Sequence, residues 1–450
     1  MKNQALPRVL MLGWEFPPVY TGGLGIACQA LAECLVARAD LTVVVPVSPD
    51  NYSPEGYSLF NIADRTYQKS EAYVKEGNTP YEEGSWRDLL KKHAVDVPLD
   101  PYEIHVPVLA NEQPDKMPTP EEASSGGNDA SDDLFQSTSL YDGNLGSRIN
   151  EFAARIVALV KEKEIAYDIV YAHDWMTFAA ALALKEISGK PLVLHVHSTD
   201  YDRTGGATYG NFTSQLEKEA LSLADGIITV SGYTAQIIEN IYKIDPDKIS
   251  VVYNGHSFRK LKKTKEPFRF PEKLVLFLGR VTAQKGPDFF FRILHKVAER
   301  VSGVRFVMAG TGDRLKNAIE TSTYSDYIHR IHFTGHLDRE EVYRLYNMSD
   351  IYCMPSVSEP FGLTALEAAY MGLPCVLSRQ SGVSEVLSGA LSADYYDVDR
   401  FADHIVDLLQ DDKLYTFVQK AQRKALKELT WDKSSQQVAD VFEKLLNQPT

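Results

Sequence analysis

Residues 355–368 read PSVSEPFGLTALEA and place two glutamates eight positions apart around a predicted helix start. Glu359 precedes the helix and Glu367 lies inside it, so about two helical turns separate them and both can address one elongated ligand. Glu367 has apolar neighbours such as Leu366, and a carboxylate there is costly unless it pairs with a ligand or a partner. The structural alternative is a charge that favours the helix N-terminus at Glu359 and a surface glutamate at Glu367.

Short β-branched strands alternate with helical patterns along most of the chain. The second half gives predicted strands at Leu274–Leu278, Arg305–Ala309, Ile331–Thr334, Ile351–Met354 and Pro374–Leu377. The first half gives predicted strands at Arg8–Leu12, Leu41–Val47, Glu103–Leu109, Ile169–His173, Pro191–His197, Gly226–Val230 and Ile249–Tyr253. Helical segments between such strands are typical of βαβ units, so the sequence predicts an α/β fold with two parallel, Rossmann-like sheets.

The domain boundaries follow from the break between the two strand series. Residues 257–272 carry many cations, two prolines and little apolar content, which indicates a linker; a basic binding patch is the alternative. The domains are therefore predicted at 1–256 and 273–430. Residues 110–147 lack periodicity and are rich in Pro, Ser, Gly, Asp and Glu, which favours a flexible surface insertion. Residues 431–450 contain an amphipathic helical pattern whose apolar face must pack on something.

Composition and charge argue against several classes of function. The net charge of −14 over 450 residues disfavours nucleic acid and anionic membranes as partners, because binding there needs a cationic face. Four cysteines without close spacing do not make a disulfide scaffold. No run approaches the ~20 apolar residues of a membrane span, and the first apolar run is too short for a signal peptide. The sequence therefore predicts a cytoplasmic protein.

Two loops at predicted strand ends carry groups suited to phosphate. Gly22 and Gly23 precede a helix predicted at Ile26–Arg38, where the backbone can approach a ligand and the helix N-terminus favours an anion. Arg280 and Lys285 follow the first strand of the second series, at the edge of an open sheet that faces the ligand crevice. They could neutralise a diphosphate. The alternatives are an ordinary strand–helix turn and two solvated surface cations.

Histidines also close two predicted strands. His195 and His197 alternate along one strand and therefore share a face. They could form a zinc pair, but the sequence offers no convincing third ligand, so one core histidine and one cleft histidine is the preferred interpretation. His173 and Asp174 close the preceding strand at the same edge, where a site is expected.

Taken together, these motifs resemble the retaining GT-B glycosyltransferases, in particular the glycogen/starch synthase-like branch of the glycosyl transferases group 1. The resemblance is carried in order by GWEFPPVYTGGLG, AHDWMT, HVHSTDYDRTGG, ITVSGYT, VVYNG, LGRVTAQKG and SEPFGLTALEAAYMGLPCV, followed by SGVSEVL. It implies a GT-B fold, in which two Rossmann-like domains face each other across a cleft. It also implies that residues 431–450 return to the first domain.

The resemblance implies roles for individual residues. Glu359 contacts hydroxyls of the donor sugar, and Glu367 holds the nucleotide ribose. Arg280 and Lys285 bind the diphosphate, while His197 lies near the reacting carbon. Asp174 lies on the acceptor side. Further donor contacts are expected from the backbone of Gly22, Gly23, Phe361, Gly362 and Leu363.

The implied reaction moves a hexose, expected to be glucose, from a nucleoside diphosphate sugar such as ADP-glucose or UDP-glucose to a saccharide acceptor such as an α-glucan. Retention of configuration is implied, with no cofactor and no metal ion, and no Asp-x-Asp metal motif is suitably placed. Arg280, Lys285 and helix N-termini would stabilise the leaving diphosphate.

Departures from the glycogen synthase pattern leave the nucleotide and the acceptor open. Tyr20 stands where those enzymes usually carry lysine, and Met176 stands where they often carry histidine. The second-domain signature resembles more closely the broad group of sucrose-, trehalose- and cell-envelope-type transferases. More distant alternatives on the same fold are an epimerase, a phosphorylase and an inactive sugar-binding protein.

Overall fold

The computed structural model describes residues 6–17, 22–48, 53–62, 87, 145–206, 210–256 and 270–447. The strand predicted at 103–109, nearly all of the insertion predicted at 110–147 and most of the linker predicted at 257–272 lie outside the described residues. The described chain forms two parallel sheets with packed helices, which confirms the predicted α/β class. None of the helices in these ranges combines the length and apolar character needed to cross a membrane.

The first sheet has seven strands in the order β3-β2-β1-β4-β5-β6-β7. Its strands are β1 Arg8–Leu12, β2 Asp40–Val45, β3 Ser58–Asn61, β4 Ile169–His173, β5 Leu192–Val196, β6 Gly226–Thr229 and β7 Ile249–Val251. The helices between them are α1 Gly23–Leu35, α2 Leu145–Glu162, α3 Trp175–Ser188, α4 Asp200–Thr204, α5 Phe212–Leu223 and α6 Gly232–Asn240. Side chains alternate along β1: Leu10 packs with α2 and α3, and Met11 packs with α1 on the opposite face.

The second sheet has six strands in the order β10-β9-β8-β11-β12-β13. Its strands are β8 Lys273–Leu278, β9 Val304–Ala309, β10 Ile331–Gly335, β11 Ile351–Met354, β12 Cys375–Ser378 and β13 Leu391–Ala393. The helices are α7 Pro287–Arg300, α8 Leu315–Thr323, α9 Arg339–Met348, α10 Leu363–Met371, α11 Val383–Val386, α12 Val398–Gln410 and α13 Asp412–Leu426. The strand order reverses between β1 and β4, and again between β8 and β11. Open α/β sheets bind ligands beyond the carboxyl ends of strands at such switch points.

The last helix, α14 Trp431–Leu446, packs against the first domain. Val438 and Phe442 are fully buried in the core that contains Leu31 of α1. Arg38 adds polar contacts: its guanidinium lies 2.8 Å from Asp432 Oδ1 and donates to Gln436 Oε1 at 2.9 Å. The apolar face of the C-terminal segment is therefore covered by the first domain.

The chain passes between the domains at two adjacent places. His256, the last described residue before 257–269, forms a parallel bridge with Thr430, just before α14. Its backbone N–H donates to Leu429 O at 3.2 Å. The crossings are packed so closely that a Cβ on Gly255 would lie 2.2 Å from Trp431 N, which only glycine avoids.

A polar contact zone joins the domains beside the cleft. Ser231, the N-cap of α6, donates to Pro360 O at 2.6 Å. Glu385 of the second domain accepts from the backbone N–H groups of Gly232 and Tyr233 at 2.9 and 2.6 Å. A second-domain carboxylate therefore caps a first-domain helix, which the helix dipole favours.

Candidate active site

A cavity of about 710 Å³ lies between the carboxyl edges of the two sheets. The loops after β1 and β4 form part of one wall, and the loops after β8 and β11 form part of the other. The polar side chains of the lining include Glu15, Asp174, His197, Ser198, Arg203, Asn254, Arg280, Gln284, Lys285, Ser356, Glu359 and Thr364. Apart from Glu367, every residue to which the resemblance assigns a role lines this cavity.

An ion pair occupies the second-domain wall. Lys285 Nζ lies 2.5 Å from Glu359 Oε2, and Ser356 Oγ donates to the same oxygen at 3.4 Å. The side chains expose only 19% and 8% of their surface, so little water screens the pair. An ammonium and a carboxylate so placed can bind different parts of one ligand, because the first favours phosphate and the second accepts from hydroxyl groups.

Arg280 adds a second cation to this wall. It follows β8 and is exposed while it lines the cavity. Lys285 ends the short 3₁₀ turn Ala283–Lys285, and Gly286 separates it from the start of α7. The structure therefore brings the two cations of the GRVTAQKG stretch to the same cavity.

Two helix N-termini meet in the cavity. A Cβ on Gly23, at the start of α1, would lie 3.2 Å from Leu363 Cδ1, at the start of α10. The N-cap residues are Gly22 and Gly362, so no cap side chain accepts from the first N–H groups of either helix. The φ of 108° at Gly362 favours glycine at that position. Glu15 Oε2 accepts from Gly22 N at 3.3 Å, so a carboxylate already lies at the α1 N-terminus. The arrangement suits an anionic group.

Glu367 lies farther along α10, beyond the cavity lining. Tyr346 donates to Glu367 Oε2 at 3.1 Å. Burial raises the pKa of Glu367, although the Tyr346 hydrogen bond and the charge of Arg339 oppose that effect. The side chain is therefore partly withdrawn from solvent. It is three positions beyond Thr364, which does line the cavity.

Asp174 shapes the first-domain wall. Its Oδ1 accepts from the backbone N–H groups of His197 and Ser198 at 2.6 and 3.3 Å. Its φ of 59° is rare for a residue with a side chain, and such strain concentrates at functional sites. Burial raises the pKa of Asp174 to about 7, against the lowering effect of these hydrogen bonds. Asp174 therefore fixes the backbone that carries His197.

The histidines occupy the positions expected from strand alternation. His195 is buried and His197 lines the cavity, as one core and one cleft residue. Burial lowers the pKa of His197 to about 3, so its imidazole is neutral near neutral pH. His173 Nδ1 lies 2.9 Å from His197 Nε2, and Tyr171 Oη lies 2.5 Å from His195 Nδ1.

Several residues at the site were not predicted from the sequence. Arg203 lines the cavity and pairs with Glu217 at 2.7 Å, with both side chains buried. Asp202 Oδ1 accepts from Ser358 Oγ of the other domain at 2.7 Å. Arg203 lies within the HVHSTDYDRTGG motif, which could have marked it. Its pairing with α5 depends on tertiary packing that no local pattern reveals.

The two facing parallel sheets, with a cavity at both switch points, have the arrangement of the GT-B fold. Residues 258–425 match the family model of Glycosyl transferases group 1, and residues 104–258 match that of Glycosyltransferase Family 4. The chain is therefore a GT-B glycosyltransferase whose second domain is of the group 1 type.

Full-length similarity supports the same assignment. The chain is 26% identical to an uncharacterised glycosyltransferase of Methanocaldococcus jannaschii, over 97% of each chain. It is 27% identical to glycogen synthase of Mycobacterium tuberculosis, over 96% of this chain and 92% of that one. The catalytic domain of starch synthase IV from Arabidopsis thaliana, bound to ADP and acarbose, superposes with a TM-score of 0.65 at 14% identity, over 99% and 100% of the two chains. That structural likeness confirms the fold.

Proposed function

We propose that this protein transfers a hexose, glucose in the first instance, from a nucleoside diphosphate sugar to a saccharide acceptor, with retention of configuration and without a metal ion. The observation that carries the proposal is the Lys285–Glu359 pair beside two helix N-termini in the interdomain cavity. The similarity to glycogen synthase, and the ADP and acarbose bound to the starch synthase neighbour, favour an α-glucan acceptor.

The negative charge of the diphosphate determines where it binds in the cavity. Arg280 and Lys285 lie on the same wall, and the N-termini of α1 and α10 add backbone N–H donors. Negative charge grows on the diphosphate as it leaves, so groups fixed at this position act most strongly in the transition state. Glu367 then lies on the α10 side of the diphosphate, where its carboxylate accepts from the ribose hydroxyls.

The donor sugar occupies the space between Glu359 and His197. The carboxylate of Glu359 accepts from sugar hydroxyls once phosphate oxygens share the ammonium of Lys285. The neutral His197 imidazole approaches the reacting carbon from the opposite wall. Its position depends on Asp174, whose carboxylate holds the His197 backbone.

Transfer proceeds by breaking the bond between the anomeric carbon and the diphosphate oxygen. The pair of electrons leaves with the nucleoside diphosphate, and the sugar becomes oxocarbenium-like. The acceptor hydroxyl attacks on the same face, and its proton passes to the departing phosphate oxygen. This step needs no metal ion, because Arg280 and Lys285 supply the positive charge that stabilises the leaving diphosphate.

A donor screen tests the proposal directly. The protein is incubated with ADP-, UDP- or GDP-glucose and short maltooligosaccharides, and released nucleoside diphosphate and product anomers are measured. We expect release with at least one donor, an α-linked product and an extended oligosaccharide. Parallel incubations contain non-glucan acceptors, and donor turnover that occurs only there would favour the sucrose-, trehalose- or cell-envelope-type alternative. A β-linked product would overturn retention.

Metal independence is tested in the same assay. Activity is expected to stay within about twofold of the untreated value after dialysis against EDTA, because protein cations neutralise the leaving group. Complete loss that zinc or magnesium restores would overturn the metal-free mechanism.

A further inference from the structure

Behind His197, three side chains from three elements of the first domain converge. Cys28 of α1, His173 at the end of β4 and His197 after β5 each offer a ligand atom, and these atoms all lie within 4.8 Å of one another. Cys28 and His173 are fully buried, whereas His197 reaches the cavity. The cluster therefore has one open side, toward the cleft.

One ring nitrogen of the cluster, which could bind a metal ion, makes no hydrogen bond among the described residues. His173 Nδ1 and His197 Nε2 share one hydrogen bond, but His173 Nε2 is buried without a hydrogen-bond partner among the described residues. The ring of His195 stacks on His197, with the centroids 4.3 Å apart, and supports it from the side. A buried ring nitrogen without a partner costs free energy, and a ligand that uses it recovers that cost.

One thiol and two imidazoles are a donor set for zinc and similar soft divalent cations. Magnesium and calcium prefer oxygen ligands and do not fit. A tetrahedral zinc ion holds its ligand atoms roughly 3.3–3.7 Å apart, and the three ligand atoms here all lie within 4.8 Å of one another. The fourth position would face the cavity, as in zinc sites that keep one position open.

We propose that Cys28, His173 and His197 form an inhibitory site for Zn²⁺, which enters from the cleft. Binding releases the thiol proton to solvent. The ion removes His197 from the donor sugar and places a positive charge at the cavity wall. The inhibitory effect rests on the proposed function of His197, whereas binding itself does not.

Binding is tested with Co²⁺ alone and with Zn²⁺ alone on EDTA-treated, metal-free protein. Co²⁺ is expected to give a thiolate-to-cobalt charge-transfer absorption, and calorimetry is expected to show one Zn²⁺ per chain. Cys28→Ala should abolish the absorption band. Cys34→Ala is the matched control, because Cys34 lies on the same helix but outside the cluster, and it should retain the band.

A second ligand variant guards against misfolding. His173→Gln should also lose the band, and thermal melts of both variants establish that they are folded. A band that persists in folded Cys28→Ala, or the absence of any binding to wild-type protein, would overturn the site.

The inhibitory effect is measured as diphosphate release from the donor identified in the screen. Zn²⁺ should suppress release at least tenfold and EDTA should restore it, while Cys28→Ala should lose this sensitivity relative to its own metal-free rate. Cobalt and zinc binding without inhibition, or stimulation by Zn²⁺, would overturn the inhibitory role. If no donor is turned over, the proposed function fails, and the cobalt titration still decides the metal site.

Discussion

At the scale of single residues, Lys285 and Arg280 differ from the other cations of the second domain because both line the cavity. Lys285→Ala and Arg280→Ala are each expected to lower turnover roughly 100-fold or more, since each removes charge stabilisation of the leaving group. The measurement is kcat with the donor identified by the screen. Lys296→Ala serves as a control, because Lys296 of α7 pairs with Asp399 on the surface. A variant of Arg280 or Lys285 within about threefold of wild type would not belong to the phosphate site.

Glu367 gives a residue-level prediction that couples stability to binding. Burial raises the pKa of Glu367 in the folded state, so folding favours the protonated carboxyl group. The stability that this group contributes at low pH is lost as the pH rises through the folded-state pKa. Glu367→Gln should therefore raise Tm at pH 8 by roughly 1–3 °C, a difference that shrinks toward acid pH.

The same substitution should weaken binding of the nucleoside diphosphate by roughly tenfold or more, as expected for a lost hydrogen bond to a charged group. Calorimetry with the free diphosphate measures this effect. Unchanged affinity together with a raised Tm would make Glu367 a structural residue and not a ribose ligand.

At the scale of helices and strands, most of the architecture could be predicted because hydrophobic alternation is local. The predicted bounds of Arg8–Leu12, Ile169–His173 and Ile351–Met354 are confirmed. The strands β3 and β13 were missed, since each has only three or four residues and little apolar pattern. Helix α1 begins at Gly23 and not at the predicted Ile26. Glycines lower helix propensity, so the prediction left them out of the helix. They are tolerated here because the N-terminus of α1 borders the cavity.

The candidate site was predictable where its residues follow strand ends, and unpredictable where it depends on packing. Arg280 and Glu359 lie in loops after β8 and β11, which topology brings to one edge. In the sequence, Cys28 lies within a predicted helix, and no motif marks it as a site residue. Its proximity to His173 and His197 arises only when α1 packs across the ends of β4 and β5.

The contact between α6 and Glu385 yields a prediction for an element. Both carboxylate oxygens accept from the first N–H groups of α6, and Tyr253 Oη donates to one of them at 3.0 Å. Glu385→Ala should therefore loosen the domain contact and lower kcat about three- to tenfold. The substitution removes the cap of α6 and the negative charge that favours the helix N-terminus. Glu443→Ala, at an exposed position of α14, is a control. A wild-type rate for Glu385→Ala would show that the cap does not influence transfer.

At the scale of the whole molecule, the site is divided between two bodies. His197 and the α1 N-terminus belong to the first domain, whereas Arg280, Lys285 and Glu359 belong to the second. Donor groups can contact both walls at once only when the domains approach. The chain crosses between the domains at His256 and Thr430, which lie side by side. Two adjacent crossings of this kind can absorb the dihedral changes of a hinge.

Nucleoside diphosphate binding should consequently close the cleft. The anion binds Arg280 and Lys285 on one side and the α1 N-terminus on the other, so it stabilises the closed arrangement over an open one. Small-angle scattering should show a smaller radius of gyration with saturating diphosphate than without it. Lys285→Ala at the same diphosphate concentration should change less, because it loses one of the cations that the anion bridges to α1. A radius of gyration that is the same with and without diphosphate, under conditions where calorimetry shows saturation, would mean that the cleft is already closed in the free protein.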